Sequence, residues 1–170
     1  MSKYLWMMVL PFFLGGCAKD HNIPPAKLGY LELSRESENL YKVRFTADTD
    51  LLSVFKPEDS PVGGLLFCSL DGENAPKEYG AERYGADGVV HAIQPRSESF
   101  VFYSSLTFVE NINEGRTQRP LEAQELRMAL SAKQSVPCIA RFTAYGFKAY
   151  YSDVLRIPVR DILRELDKGY

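Results

Sequence analysis

Tryptophan occurs once in the 170 residues, at Trp6; histidine occurs twice and cysteine three times. Beyond His21 only His91 remains, so the chain cannot build an H-E-x-x-H zinc site, and it has no C-x-x-C pair, no G-x-S-x-G elbow and no phosphate-cradling glycine loop. A strong charge of one sign is also missing. Lys and Arg total 20 against 22 Asp and Glu, with no basic tract, and this excludes the electrostatic footprint of a nucleic-acid binder. Long apolar runs are absent too. Tyr4 to Leu14 is about half of the roughly 20 residues a transmembrane helix needs, and Pro11 interrupts it.

What that run does have is context. One cation, Lys3, precedes it, and the small residues Gly15 and Gly16 follow it just before Cys17, which is the three-part layout of a secretory signal. Leu14-Gly15-Gly16-Cys17 resembles the bacterial lipobox. That resemblance implies a signal peptide over 1–16, diacylglycerol on the Cys17 sulfur, a fatty acyl group such as palmitate on its new amine, and no other cofactor. Two or three acyl chains anchor firmly, because each buried CH2 contributes about 0.8 kcal/mol. Ala18, where an Asp would favour inner-membrane retention, points to the periplasmic face of the outer membrane. An ordinary secretory peptide, cut after Gly16 or Ala18, is the alternative.

Residues 17–27 carry Pro24-Pro25 among polar neighbours and read as a lipidated cysteine and extended tether, with His21 solvated. Residues 28–170 read as one β-rich domain of ordinary size. An exported domain meets oxidising conditions, so Cys68 and Cys138, both in apolar strand-like contexts, are expected to form a disulfide, against the alternative of two buried thiols.

Period-two alternation marks most of this domain. Leu28, Tyr30 and Leu33 begin a strand, a hairpin turns through 34–39, and Tyr41, Val43 and Phe45 alternate with Lys42, Arg44 and Thr46. Residues 51–55 fit a short strand or a turn of helix. Residues 63–70 form an apolar run suited to a doubly buried strand, and 71–88 read as a long loop with four glycines. Strands are expected over 89–94 and 99–109, with a polar connection over 110–119. A helix from Pro120 to Ala132 competes with an edge strand through 125–132. Strands over 136–145 and 148–157 follow, then a short C-terminal helix on Val159, Ile162, Leu163 and Leu166. The class is mainly β: an antiparallel β-sandwich, compatible with an immunoglobulin-like arrangement and an inter-sheet disulfide, although the tryptophan of immunoglobulin cores is missing.

Residues arranged for chemistry are few. His91, in the apolar context VVHAIQ, reads as a packed, hydrogen-bonded residue rather than a base. The loop acids Glu73, Glu78, Glu82 and Asp87 read as solvated charge, and Asp71-Gly72-Glu73-Asn74 lacks calcium-loop spacing. No catalytic and no metal-ligating residue is assigned. Of the 10 tyrosines only Tyr4 lies in the leader, and several fall in connections: Tyr79, Tyr84, Tyr145 and Tyr150. Tyrosine gives rigid amphipathic contact area, so Glu78, Tyr79, Glu82, Arg83 and Tyr84 are the expected partner-binding set; tyrosines capping the sandwich ends are the alternative.

Lipobox, short tether, small β-rich domain and no catalytic motif together make an organisation similar to that of immunity lipoproteins of contact-dependent toxin systems. The resemblance implies a non-enzymatic domain whose protein partner is a secreted toxin effector with hydrolase activity. A structural or assembly lipoprotein of a secretion or pilus machine, and a small-ligand binder or hydrolase, are the other expectations.

Overall fold

Alternation of apolar and polar residues builds the sheet. In β2 (Leu40–Ala47) Tyr41, Val43, Phe45 and Ala47 are buried; Phe102, Ser104, Leu106 and Phe108 repeat this in β5 (Phe100–Ile112), as do Val136, Cys138, Ala140, Phe142 and Ala144 in β7 (Ser135–Ala144). The computed structural model describes residues 18–72, 74, 76, 82–93, 100–113 and 115–168. Among these the protein is mainly β, with nine strands in one antiparallel sheet. The order runs β1 (Leu28–Ser37), β2, β5, β4 (Tyr84–Ile93), β3 (Pro61–Ser69), β7, β8 (Tyr150–Tyr151). β6 (Thr117–Pro120) continues on the edge of β5 where β2 stops, and β9 (Leu155–Pro158) pairs with β7 beyond β8.

This sheet rolls on itself. β1 lies beside β9 although the two sit at opposite ends of the pairing order, and the C-terminal helix α2 (Val159–Asp167) packs on both. The Tyr30 hydroxyl donates to Asp161 Oδ2 at 2.8 Å, and the Arg35 N–H to Glu165 Oε2 at 3.4 Å. The sandwich-like interior so formed holds Phe45, Phe102, Leu66, Leu106, Ile157 and Ile162, all fully buried and each stabilising by about 1.5–3 kcal/mol.

Hydrogen bonding continues from strand to strand, instead of being divided between two sheets as in an immunoglobulin-like arrangement. The Cys68–Cys138 disulfide accordingly joins neighbours rather than sheets: the two residues are register partners on β3 and β7, with Cα atoms 3.9 Å apart.

Several boundaries differ from expectation. The loop expected to run to residue 88 ends at 83, because Gly85 and Gly88 serve close strand packing and not a turn. A Cβ on Gly88 would meet Ser105 O at 2.2 Å. The polar connection over 110–119 is the β5–β6 hairpin, turning through Asn113 and Gly115, both at positive φ. Helix α1 (Ala123–Leu130) starts after Pro120, which ends β6; Glu122 caps it with Glu125 in a reciprocal box. Residues 51–53 form one 3₁₀ turn capped by Asp50. The strand expected over 148–157 divides into β8 and β9 where Ser152 Oγ accepts the Ala140 N–H at 2.9 Å.

The expected tether is not free either. The Lys19 N–H donates to Gly146 O at 2.8 Å, the Lys27 N–H to Asp48 Oδ1 at 2.9 Å, and Ala26 is buried. His21 is half-buried and not simply solvated: it packs edge-on against Phe55 and Tyr150, and its Nδ1 accepts the Ile23 N–H. Apolar contact outweighs the polar composition of this segment.

Strand directions give the molecule two ends. Residues 18–27, the segment 48–60 and the Tyr145–Gly146 turn share one; the loop after Ser69, the β5–β6 turn and residues 131–134 share the other. The nine residues of β3 separate them by about 27–30 Å at roughly 3.3 Å per residue.

Candidate partner-binding surface

The second end holds the residues singled out from sequence. Chain leaving β3 returns at Glu82, Arg83 and Tyr84, and this return is held in place. Asn111 donates its Nδ2 hydrogen to Glu82 O and its backbone N–H to Arg83 O, both at 2.7 Å. The Leu70 N–H donates to Tyr84 O at 2.9 Å, and the Tyr84 N–H to Asp71 Oδ2 at 3.1 Å. Asp71 thus acts as a turn cap. Among the described residues no group of three metal-ligating side chains forms.

Beneath this return the outer face of the sheet is not open to water. Phe67 and Val109 alternate with core residues and therefore point outward, yet both are buried; Pro76 and Glu82 line the small space over them with Gly85, Asn111 and Gln118. That space is about 20 Å³, room for one water. Burial pushes the Asp87 carboxyl above its usual range, although Gln118 Nε2 donates to its Oδ1 at 3.4 Å. Burial also raises Glu82, against a hydrogen bond from Ser69 that lowers it. These two acids were expected to be solvated charge; Pro76, Asn111 and Gln118 around them remove much of that solvent.

A chain of ion pairs borders the seat. The Arg83 guanidinium lies 4.9 Å from the Tyr84 ring centroid and donates through Nε and Nη2 to Glu110 Oε1 at 3.0 and 2.9 Å. Glu110 Oε2 accepts from Arg119 Nη2 at 2.7 Å, and Arg119 forks onto both oxygens of Glu125 at 2.9 Å. Arg119 and the Glu122 N–H hold the Glu125 carboxyl down to about 2, and Arg119 with Arg83 lowers Glu110. β5, β6, α1 and the chain entering β4 are thereby cross-linked, while the Arg83 side chain stays 68% exposed. Beyond Glu125 a groove of about 440 Å³ lies between α1 and the β1–β2 turn, floored by Tyr41, Phe108, Leu121 and Leu126.

Of the expected partner set, the structure brings Glu82, Arg83 and Tyr84 together. Glu78 and Tyr79 lie outside the described residues, as do Glu73 and Cys17. Tyr145 is 76% exposed at the opposite end, whereas Tyr150 is a core residue and not an interface tyrosine. His91 is exposed on the outer face, with its ring stacked 5.0 Å from Tyr103, so the expected packed histidine is a surface one: its neighbours Val90 and Ala92 differ in burial, and His91 shares the outer phase with Val89. Sequence reading missed Glu110, Asn111, Gln118, Arg119 and Glu125. The Asn113-x-Gly115 turn between two polar runs was the signal that they form a hairpin.

No family model, curated protein or solved structure matches this chain.

Proposed function

We propose that this protein is a lipoprotein anchored through Cys17 at the periplasmic face of the outer membrane, and that its far end binds a protein partner, a secreted toxin effector that it neutralises. One observation carries the binding reading. The loop return is clamped by Asn111 over a buried apolar seat, so Arg83 is presented on Tyr84 in a fixed, exposed position. Preorganisation of this kind lowers the entropy lost on binding, and Arg and Tyr are enriched where interfaces gain most of their energy. Membrane attachment follows from the lipobox-like Leu14-Gly15-Gly16-Cys17; no described helix is long and apolar enough to cross a bilayer.

The test is affinity capture from a lysate of the source bacterium at high density, using tagged residues 18–170, with mass spectrometry of what is retained. One stoichiometric partner carrying a toxin or hydrolase domain, lost with Arg83→Glu and with Tyr84→Ala, supports the proposal. Envelope-machine subunits would replace it with the assembly role, and retention unaffected by both substitutions would remove this surface from consideration.

A small-ligand reading is favoured by the groove floored by Tyr41 and Phe108. It requires saturable binding that Tyr41→Ala abolishes.

A further inference from the structure

We infer that the end of the rolled sheet where Lys19 is bound lies against the membrane, with Tyr145, Val62 and Leu52 in contact with the lipid interface. This rests on the lipidation of Cys17 proposed above and adds which face the anchor presents.

The sequence suggests an eleven-residue leash, long enough for the domain to tumble at a distance. The fold removes most of it. The Lys19 N–H donates to Gly146 O at 2.8 Å, the Lys148 N–H donates back to Lys19 O at 2.9 Å, and Lys148 Nζ pairs with Asp20 at 2.9 Å. Lys19 and Phe147 thus form a parallel bridge. Only Ala18 lies between the acylated position and the Lys19 backbone fixed to the Tyr145–Gly146 turn, a reach of at most about 7 Å when extended. That turn is therefore held close to the headgroups.

Surface chemistry at this end fits the location. Tyr145 is 76%, Val62 63% and Leu52 45% exposed. They are neighbours: the Tyr145 N–H donates to Ser60 O at 3.4 Å, Pro61 pairs with Ala144, and Leu52 borders the same small apolar cleft as Pro61 and Gly63. Val62 turns outward at a bulge where Gly63 takes φ +141°. An amphipathic aromatic beside two aliphatic side chains suits the headgroup level, where tyrosine is enriched. Lysines 19, 56 and 148 are interspersed with Asp20, Glu58 and Asp59, so charge is mixed and the contact is apolar, requiring no anionic lipid.

Because Trp6 lies in the leader, the mature protein offers a blank background for a fluorescent reporter. Full-length chain carrying Tyr145→Trp is expressed with its lipidation machinery and reconstituted into phosphatidylcholine vesicles with brominated acyl chains. Met128→Trp, on exposed α1 at the opposite end, is the control. The expected result is flotation of both proteins with the vesicles, a blue shift and loss of emission for Tyr145→Trp, and neither change for Met128→Trp. Flotation with equal quenching at the two positions would overturn the orientation while leaving the anchor standing. If neither wild type nor Cys17→Ala floats, the lipidation reading fails and takes the orientation with it.

Discussion

The hydroxyl of Tyr150 accepts the N–H of Ala26 at 2.6 Å, across a sequence separation of 124, and donates to Pro24 O at 3.2 Å. One buried side chain thereby ties the segment after Cys17 to the edge of the sheet. Tyr150→Phe keeps the ring against Phe142 but orphans the Ala26 amide, at a cost of about 1–2 kcal/mol. Hydrogen exchange read by NMR should show the Ala26 amide losing protection while Phe45 keeps its own; unchanged protection at Ala26 would contradict the role given to the hydroxyl.

The disulfide joins two strands that already pair, so its removal need not change the fold. It does release a long loop in the unfolded chain. Cys68→Ala with Cys138→Ala should cost roughly 2–5 kcal/mol, seen as a lower urea midpoint, and the oxidised wild type should respond to reductant in the same direction. A midpoint indifferent to reductant would show that the bond contributes nothing.

Asp87 is an acid whose folded pKa is raised by burial. The folded state therefore binds its proton more tightly than the unfolded chain, and the associated stability is fully present below the unfolded pKa and lost as pH rises through the folded one. Asp87→Asn, which retains an acceptor for Gln118, should melt a few degrees higher than wild type at neutral pH. The gap should close as the solution is acidified below the ordinary aspartate range. A gap that widens in acid would reverse the assignment.

Glu125 lies on the other side of its reference value. Its folded pKa is depressed to about 2, so its contribution is present above the unfolded pKa and lost as pH falls through about 2. A carbon-detected NMR titration should place its midpoint there. Arg119→Met should move that midpoint up toward the ordinary glutamate range; a midpoint that stays put would mean that the helix cap alone holds the charge.

Much of this architecture was legible where residues alternate against the core. Tyr41, Val43 and Phe45 announce β2, and the apolar run through Leu66 and Cys68 announces a doubly covered strand. Illegible parts have residues that answer to each other instead of to the interior. Glu110 with Arg119 and Asn111 with Gln118 are cross-strand pairs, so their hairpin looks like a polar linker until both strands are aligned. Gly85 and Gly88 mimic a turn because the space they leave is taken by Cys68 O and Ser105 O, atoms distant in sequence. Tyr150 and His91 exchanged their expected places for a related reason: local apolarity does not reveal which phase of a strand faces inward.

The bond between Cys68 and Cys138 also has a topological result. It closes a ring that contains β4, β5, β6, α1 and the whole surface around Arg83. A protease that cuts between Leu70 and Glu82 opens that ring without dividing the molecule. The two pieces should migrate together on a non-reducing gel and separate only after reduction. The nicked chain would in that way survive as one covalent object with that connection already severed.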